Sequence, residues 1–275
     1  MIYLSPVVYK VPGVDTWWEW FERNFNPTSL NLPPAYYPED IVLRYSTKGA
    51  INAAPGKSVA LCWELLPELK RVFNTNRWDA VIKTTYETAK FCTRRLITTE
   101  FARKDYEPFG KVDILPIGVD TDLFRPYSEQ DKNKMRLKYN VPVDAEVGFW
   151  CGSTEPMKGS AAVQQYANEY PRIYWIIVWY GSNGFFNING QQHFAAPQTK
   201  LAELMNCADF QLSASLLQPY YIVEYEGMAC NLKQRKVIDM EKDFEVGDNP
   251  RDAIFEHKWD RITCKKLYED YLNNL

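Results

Sequence analysis

Short apolar runs alternate with amphipathic stretches along all 275 residues. In the first half, residues 2–4, 40–45, 58–63, 80–83, 97–99 and 111–115 have the length and apolar content of strands, separated by helix-like or loop segments. Residues 15–25 predict a helix: Asp15 or Thr16 can cap it, and Trp17, Trp18, Trp20, Phe21 and Phe25 fill two faces. These rings predict core packing, with stacking on a sugar or a base as their other use. After a lysine-rich helical stretch at 128–138, residues 146–151 predict a strand that stops at a glycine-bounded turn, 152–159. A helix at 160–170 and an almost unbroken apolar run at 173–179 follow, the latter typical of a strand buried on both faces. Helices at 201–207 and 223–230 flank a strand at 208–213, and 259–275 is an amphipathic helix with Ile262, Leu267, Tyr268, Tyr271 and Leu272 apolar. The alternation predicts an α/β fold of two Rossmann-like domains, residues 1–125 and 126–255, followed by a helical piece at 256–275. Two such halves predict a ligand cleft outside the carboxyl ends of the strands.

Composition narrows the class without naming a reaction. The chain is 46% hydrophobic and 24% charged, ordinary for a globular protein, but 9 Trp and 18 Tyr make it rich in aromatics. With 32 Lys plus Arg against 35 Asp plus Glu, a net charge of −3 gives no global positive field for a polyanion. The densest basic stretch, Lys90, Arg94, Arg95, Arg103 and Lys104, reads as a solvated helix face or as a track for a phosphate backbone. Lys132, Lys134 and Lys138 read as a solvated face as well. Cys62, Cys92, Cys151, Cys207, Cys230 and Cys264 are dispersed, without C-x-x-C spacing and away from the two histidines, His193 and His257. Neither a zinc site nor a relay of several imidazoles is expected from them. The N-terminus lacks a signal-peptide pattern, and no stretch reaches the roughly 18 apolar residues of a membrane span. The expectation is a soluble, cytoplasmic protein with reduced thiols.

Four segments carry candidate chemistry. Pro116-Ile-Gly-Val-Asp120 leads into a later Phe124-Arg-Pro126. Gly152 and Ser153 open a turn that ends in Lys158-Gly159. A lysine beside a glycine suits a diphosphate, which needs a point charge and backbone N–H groups at close range. Ala208-Asp209 joins a helix to a strand, and Gln218 and Glu226 stand with seven residues between them across a loop and the start of a helix. That spacing lets both face one ligand. In this order the segments resemble the retaining, nucleotide-sugar-dependent glycosyltransferases of the two-Rossmann-domain type, GT-B, and specifically family four. The resemblance covers most of the chain and is strongest between residues 112 and 230. It implies that Lys158, with Gly152 and Ser153, holds the donor diphosphate, that Gln218 orients the transferred sugar and that Glu226 accepts hydrogen bonds from the ribose. It implies that the amides of Tyr220, Tyr221 and Ile222 at the helix start face the diphosphate or sugar. It further implies that the Pro12-Gly13-Val14 loop approaches the phosphates from the first domain, that Asp209 is structural, and that the terminal helix packs back on the first domain.

The sequence departs from that pattern at defined places. Gln218 puts a neutral amide where the family has a carboxylate, Ser153 stands where an arginine joins the lysine, and the first half has no histidine. Asp120 and Asp122 have the spacing of a metal-binding D-x-D pair, yet their Gly-Val-Asp-Thr-Asp-Leu-Phe setting predicts a linker or cap. Lys200 and His193 read as a solvated lysine and a loop histidine, with a base or acceptor pocket as the alternative. Glu64 reads as structural or as a cleft residue. The resemblance implies an enzyme that moves a sugar from a nucleotide-diphosphate sugar to a hydroxyl acceptor with retention of configuration, with no obligatory metal or other cofactor. The implied acceptor is a glycan or lipid-linked sugar. Two alternatives stay open: a phage-type enzyme acting on modified DNA bases, and a non-catalytic nucleotide-sugar or glycan-binding module.

Overall fold

The structure, a computed structural model, describes residues 2–4, 24–25, 28–29, 41–45, 57–62, 70, 76, 79–154, 156–181, 186–215, 222–237 and 249–275. In chain order it begins with β1 (Ile2–Leu4), β2 (Thr28–Ser29), β3 (Ile41–Tyr45), β4 (Lys57–Leu61), α1 (Asp79–Phe91), β5 (Arg94–Ile97), α2 (Arg103–Tyr106) and β6 (Val112–Ile114). Then come α3 (Glu129–Lys138), β7 (Val147–Ser153), α4 (Ser160–Glu169), β8 (Tyr174–Tyr180), β9 (Gly190–Phe194) and α5 (Gln198–Asn206). After these follow β10 (Phe210–Ser213), α6 (Ile222–Ala229), β11 (Lys233–Lys236), α7 (Pro250–Glu256) and α8 (Arg261–Asn273). Contacts gather the described residues into two units. One takes in those up to Ile117 together with Ile262–Leu275, and the other those of Gly118–Arg261. Among the described residues no helix is long and apolar enough to cross a membrane.

The first unit holds a parallel sheet in the order β2-β1-β3-β4-β5-β6. Its middle strands bury Val59, Ala60, Leu61, Leu96 and Ile97, as strands covered on both faces must. The terminal helix α8 belongs to this unit: Cys264, Tyr268 and Leu272, four residues apart and hence on one face, pack on Leu43, Val59, Leu61, Leu96 and Leu115. Tyr271 donates its hydroxyl to Asp113 Oδ2 at 3.1 Å, and Asp113 also pairs with Arg94 at 3.3 Å.

The second unit holds a parallel sheet in the order β11-β10-β7-β8-β9. Its central strands are apolar and buried, while β9 and β11 at the two edges read Gly-Gln-Gln-His-Phe and Lys-Gln-Arg-Lys. Much of the aromatic surplus is core here. Trp175 lies edge-on to Phe210 at 5.7 Å and to Tyr166 at 5.9 Å, and Trp150 meets Phe186 at 5.4 Å. The two chain segments at the limits of this unit run side by side. Val119 N–H donates to Trp259 O at 2.7 Å, Arg261 N–H donates to Val119 O at 2.9 Å, and Arg261 pairs with Asp120 at 3.1 Å.

Several sequence expectations are corrected. Residues 80–83, expected as a strand, form the start of α1, whose buried face is carried by Thr85, Thr88 and Ala89 rather than by large apolar side chains. Thr84, Thr85 and Thr88 donate their hydroxyls to the carbonyls of Ala80, Val81 and Thr84, which satisfies polar groups that hid the helix from a hydrophobic reading. The strand placed at 97–99 is β5, at Arg94–Ile97. His193, read as lying in a loop, is on β9. The helix at 15–25, apart from Asn24 and Phe25, lies outside the described residues, as do Gly13, Glu64, Gln218, Tyr220 and Tyr221.

Candidate functional site

In the second sheet the chain steps from β7 to β8 to β9 in one direction, then returns to place β10 on the other side of β7 and β11 beyond it. Strand order therefore reverses between β7 and β10, and in open parallel sheets the crevice outside the carboxyl ends at such a point is where ligands bind. Five of the residues singled out from sequence lie on the elements that flank this point. Gly152 and Ser153 end β7, Lys158 ends the short 3-10 turn that follows, and Ile222 and Glu226 lie on α6, the helix after β10.

The turn is shaped by its glycine. Gly159 has φ +71°, and a Cβ there would lie 1.7 Å from the Ala214 carbonyl oxygen, so a residue without a side chain lets the turn rest on the chain leaving β10. Ser215 donates its hydroxyl to Met157 O at 3.3 Å, and Ser160 donates to Thr154 O at 3.3 Å, closing the turn on the strand end and on itself. Lys158 is only 8% exposed and Glu226 only 4%, unusual for charged residues. Both act on one thiol. Burial pushes the Cys151 thiol far up, the Glu226 carboxylate pushes it further, and the Lys158 ammonium works against them. Burial and then Glu226 likewise raise Cys230. A cation on the β7 side and a carboxylate on the β10 side thus share one buried neighbourhood.

Two polar residues that sequence reasoning missed join them. Gln198 Nε2, at the start of α5, donates to Glu226 Oε1 at 3.3 Å. Glu224, buried on α6, accepts a short hydrogen bond from the Ser213 hydroxyl at the end of β10. Ile222 is half-buried in the first turn of α6, and Ser153 is buried at the end of β7.

Other candidates take structural roles. Asp209 accepts from Lys132 at 2.6 Å, from Arg136 at 2.8 Å and from the Val147 N–H at 2.8 Å, tying α3 to the sheet. Lys132 therefore departs from the expected solvated face, whereas Lys138 is exposed as expected and pairs with Glu203 at 2.6 Å. Asp120 accepts from the N–H groups of Asp122 and Leu123 and pairs with Arg261, which is cap geometry. Among the described residues no group of three His, Cys, Asp or Glu could hold a metal ion. The basic stretch is not one helix face: Arg94 and Arg95 are on β5, whereas Lys90 is in the last turn of α1 and Arg103 and Lys104 open α2. Arg95 is buried and donates to Ala89 O at 2.6 Å and Lys90 O at 3.4 Å, capping the end of α1, while Arg103 pairs with Glu100. His193 meets Gln191 Oε1 at 2.8 Å, and burial, then Lys200, lower its pKa.

No family model matches the chain. Among curated proteins, the D-inositol 3-phosphate glycosyltransferases of Mycobacterium bovis and Mycobacterium tuberculosis are 29% identical over 137 residues, taking in 44% of this chain and 28% of theirs. The match thus spans less than a third of the curated relatives' length. Among solved structures, Anabaena HepE in complex with UDP-glucose superimposes with a TM-score of 0.71 at 14% identity, over 100% of this chain and 99% of that one. Sucrose-phosphate synthase from Thermosynechococcus elongatus gives 0.59 at 12% identity, over 80% of this chain and 58% of that one. With two parallel sheets, a strand-order reversal at the candidate site and a structural likeness along its whole length, this protein has the α/β fold of the GT-B glycosyltransferases.

Proposed function

We propose that this protein transfers a sugar from a nucleoside-diphosphate donor to a hydroxyl acceptor with retention of anomeric configuration and without an obligatory metal. The observation that carries this reading is the burial of Lys158 and Glu226 on the two elements that flank the strand-order reversal, the turn after β7 and the helix after β10. The likeness to HepE, whose structures hold UDP-glucose or UDP with glucose, and the names of the curated relatives support a nucleotide-sugar donor. In the reaction the bond from the anomeric carbon to the diphosphate oxygen breaks and a bond to the acceptor oxygen forms on the same face. The acceptor proton passes to the leaving diphosphate. Little covalent chemistry falls to the protein, so its work is positioning and charge stabilisation.

On this reading Lys158 and the turn at Gly152 and Ser153 stabilise the leaving diphosphate, with the Gly13 loop and the amides of Tyr220, Tyr221 and Ile222 assisting. Gln218 orients the sugar and Glu226 the ribose. The acceptor is a glycan or lipid-linked sugar. A DNA acceptor draws no support from residues 90–104, whose arginines are engaged within the fold. A second reading, a module that binds without turnover, is favoured by Ser153: it leaves Lys158 as the one cation of residues 152–159. Incubation with UDP-glucose, with and without an acceptor glycan mixture, separates the two. Release of UDP that disappears in Lys158→Ala supports the transferase, and tight UDP binding without release supports the module.

A further inference from the structure

Glu226 draws a partner from a distant part of the chain. A carboxylate as buried as this one needs hydrogen-bond donors to replace lost water. One is Gln198, whose Nε2 reaches Glu226 Oε1 at 3.3 Å from a position 28 residues away in sequence. The approach is built into the fold. Ala195 takes φ +46° just after β9, Pro197 precedes the helix, and Leu201, Ala202 and Met205 on α5 share a core with Val223, Met228 and Ala229 on α6. At the other end of α5, Asn206 Nδ2 lies 3.6 Å from Cys230 Sγ, so both ends of α5 are held against the C-terminal half of α6 and the residue after it.

We propose that Gln198 is a positioning residue for donor recognition, holding the Glu226 carboxylate in the orientation that reads the ribose hydroxyls of a nucleoside diphosphate. The inference rests on the ribose role given above to Glu226. An amide suits the task, because its NH2 donates to the carboxylate without adding charge. A lysine in its place would neutralise Glu226 and compete with the ribose, and a shorter side chain would leave the carboxylate to other rotamers. The consequence is specificity: discrimination between ribose and 2′-deoxyribose depends on a residue assigned no contact with either sugar.

The test is calorimetric titration of the full chain with UDP, GDP, ADP and CDP and with their 2′-deoxy counterparts. It compares wild type, Gln198→Ala, Gln198→Glu, Glu226→Ala and the Gln198→Ala/Glu226→Ala double variant. Wild type is expected to bind one ribonucleotide about tenfold better than its deoxy form, the scale of hydrogen bonds to a charged group. Gln198→Ala should shrink that ratio by about fivefold, and in the Glu226→Ala background it should change the ratio no further. In Gln198→Glu the ratio should recover as pH falls, because two carboxylates at hydrogen-bond distance share a proton. If Gln198→Ala keeps the wild-type ratio, or weakens ribo and deoxy forms equally, while Glu226→Ala removes the ratio, the positioning role is overturned and the ribose role of Glu226 stands. A ratio unaffected by Glu226→Ala, or no binding of any ribonucleotide, overturns both.

Discussion

At the scale of single residues, Lys158 and Gly159 decide what the turn after β7 can do. Lys158 is buried at the end of that turn, and a buried side chain of this kind needs polar partners. Lys158→Ala removes the one cation of the turn, so kcat/KM measured by UDP release from UDP-glucose should fall by at least about 100-fold, the scale of one lost charge-stabilising contact. An unchanged rate would take Lys158 out of the site. Gly159→Ala acts differently, through backbone. Its methyl would have to displace the Ala214 carbonyl, a main-chain group with no rotamer to escape into, and the left-handed φ adds strain of its own. Stability should drop by about 3 kcal/mol, read as a lower urea midpoint, with UDP affinity falling in parallel as the turn moves off β10. A variant as stable as wild type would show that the turn can shift without cost.

At the scale of elements, Asp209, the residue before β10, ties two others to that strand: Lys132 and Arg136 reach it from α3, and the Val147 N–H reaches it from the start of β7. Burial pushes this carboxyl up, but the Lys132 hydrogen bond, the Val147 N–H and the charges of Lys132 and Arg136 outweigh it and hold the pKa below its ordinary value. The native state therefore binds fewer protons here than the unfolded chain does. The stabilisation is full above the unfolded carboxylate range, about pH 4, and is lost as pH falls through the folded value. Asp209→Asn should lower stability by about 1 kcal/mol at pH 7, solvent screening of the partly exposed carboxylate included, and the gap to wild type in urea midpoint should close on acidification. A gap that is independent of pH would contradict the ion pairs. The same elements explain what the sequence revealed. Central strands β7, β8 and β10 and the helices between them announced themselves by local apolar pattern. The edge strands β9 and β11 did not, because an edge carries polar residues that discourage further pairing and so imitates a loop. The sequence singles out Lys158 and Glu226 because each sits in a compact local motif. It does not single out Gln198, whose contact with Glu226 spans 28 positions and is created by the path of α5.

For the whole molecule, the consequence lies in how the chain's last segment is used. The second unit finishes at Arg261, yet the chain continues as α8 and buries Cys264, Tyr268 and Leu272 in the core of the first unit. The first unit thus takes part of its core from the far end of the chain, whereas the described residues of the second run from Gly118 to Arg261, the first residue of α8. The second unit keeps within itself the Val119 hydrogen bonds to Trp259 and Arg261 and the ion pair of Arg261 with Asp120. A chain cut after Arg261 loses one wall of the first core and nothing of the second. Each large buried side chain removed from a core costs about 2–5 kcal/mol, so losing Tyr268 and Leu272 together approaches the entire stability of an ordinary domain. Limited proteolysis of the chain ending at Arg261 should therefore digest the region before Ile117 and leave a resistant fragment close to residues 118–261. That fragment should still bind UDP, since Lys158, Glu226 and Gln198 all lie within it. Loss of both units at once would mean that they fold as one cooperative body, and survival of both would mean that α8 is an accessory to a core already complete.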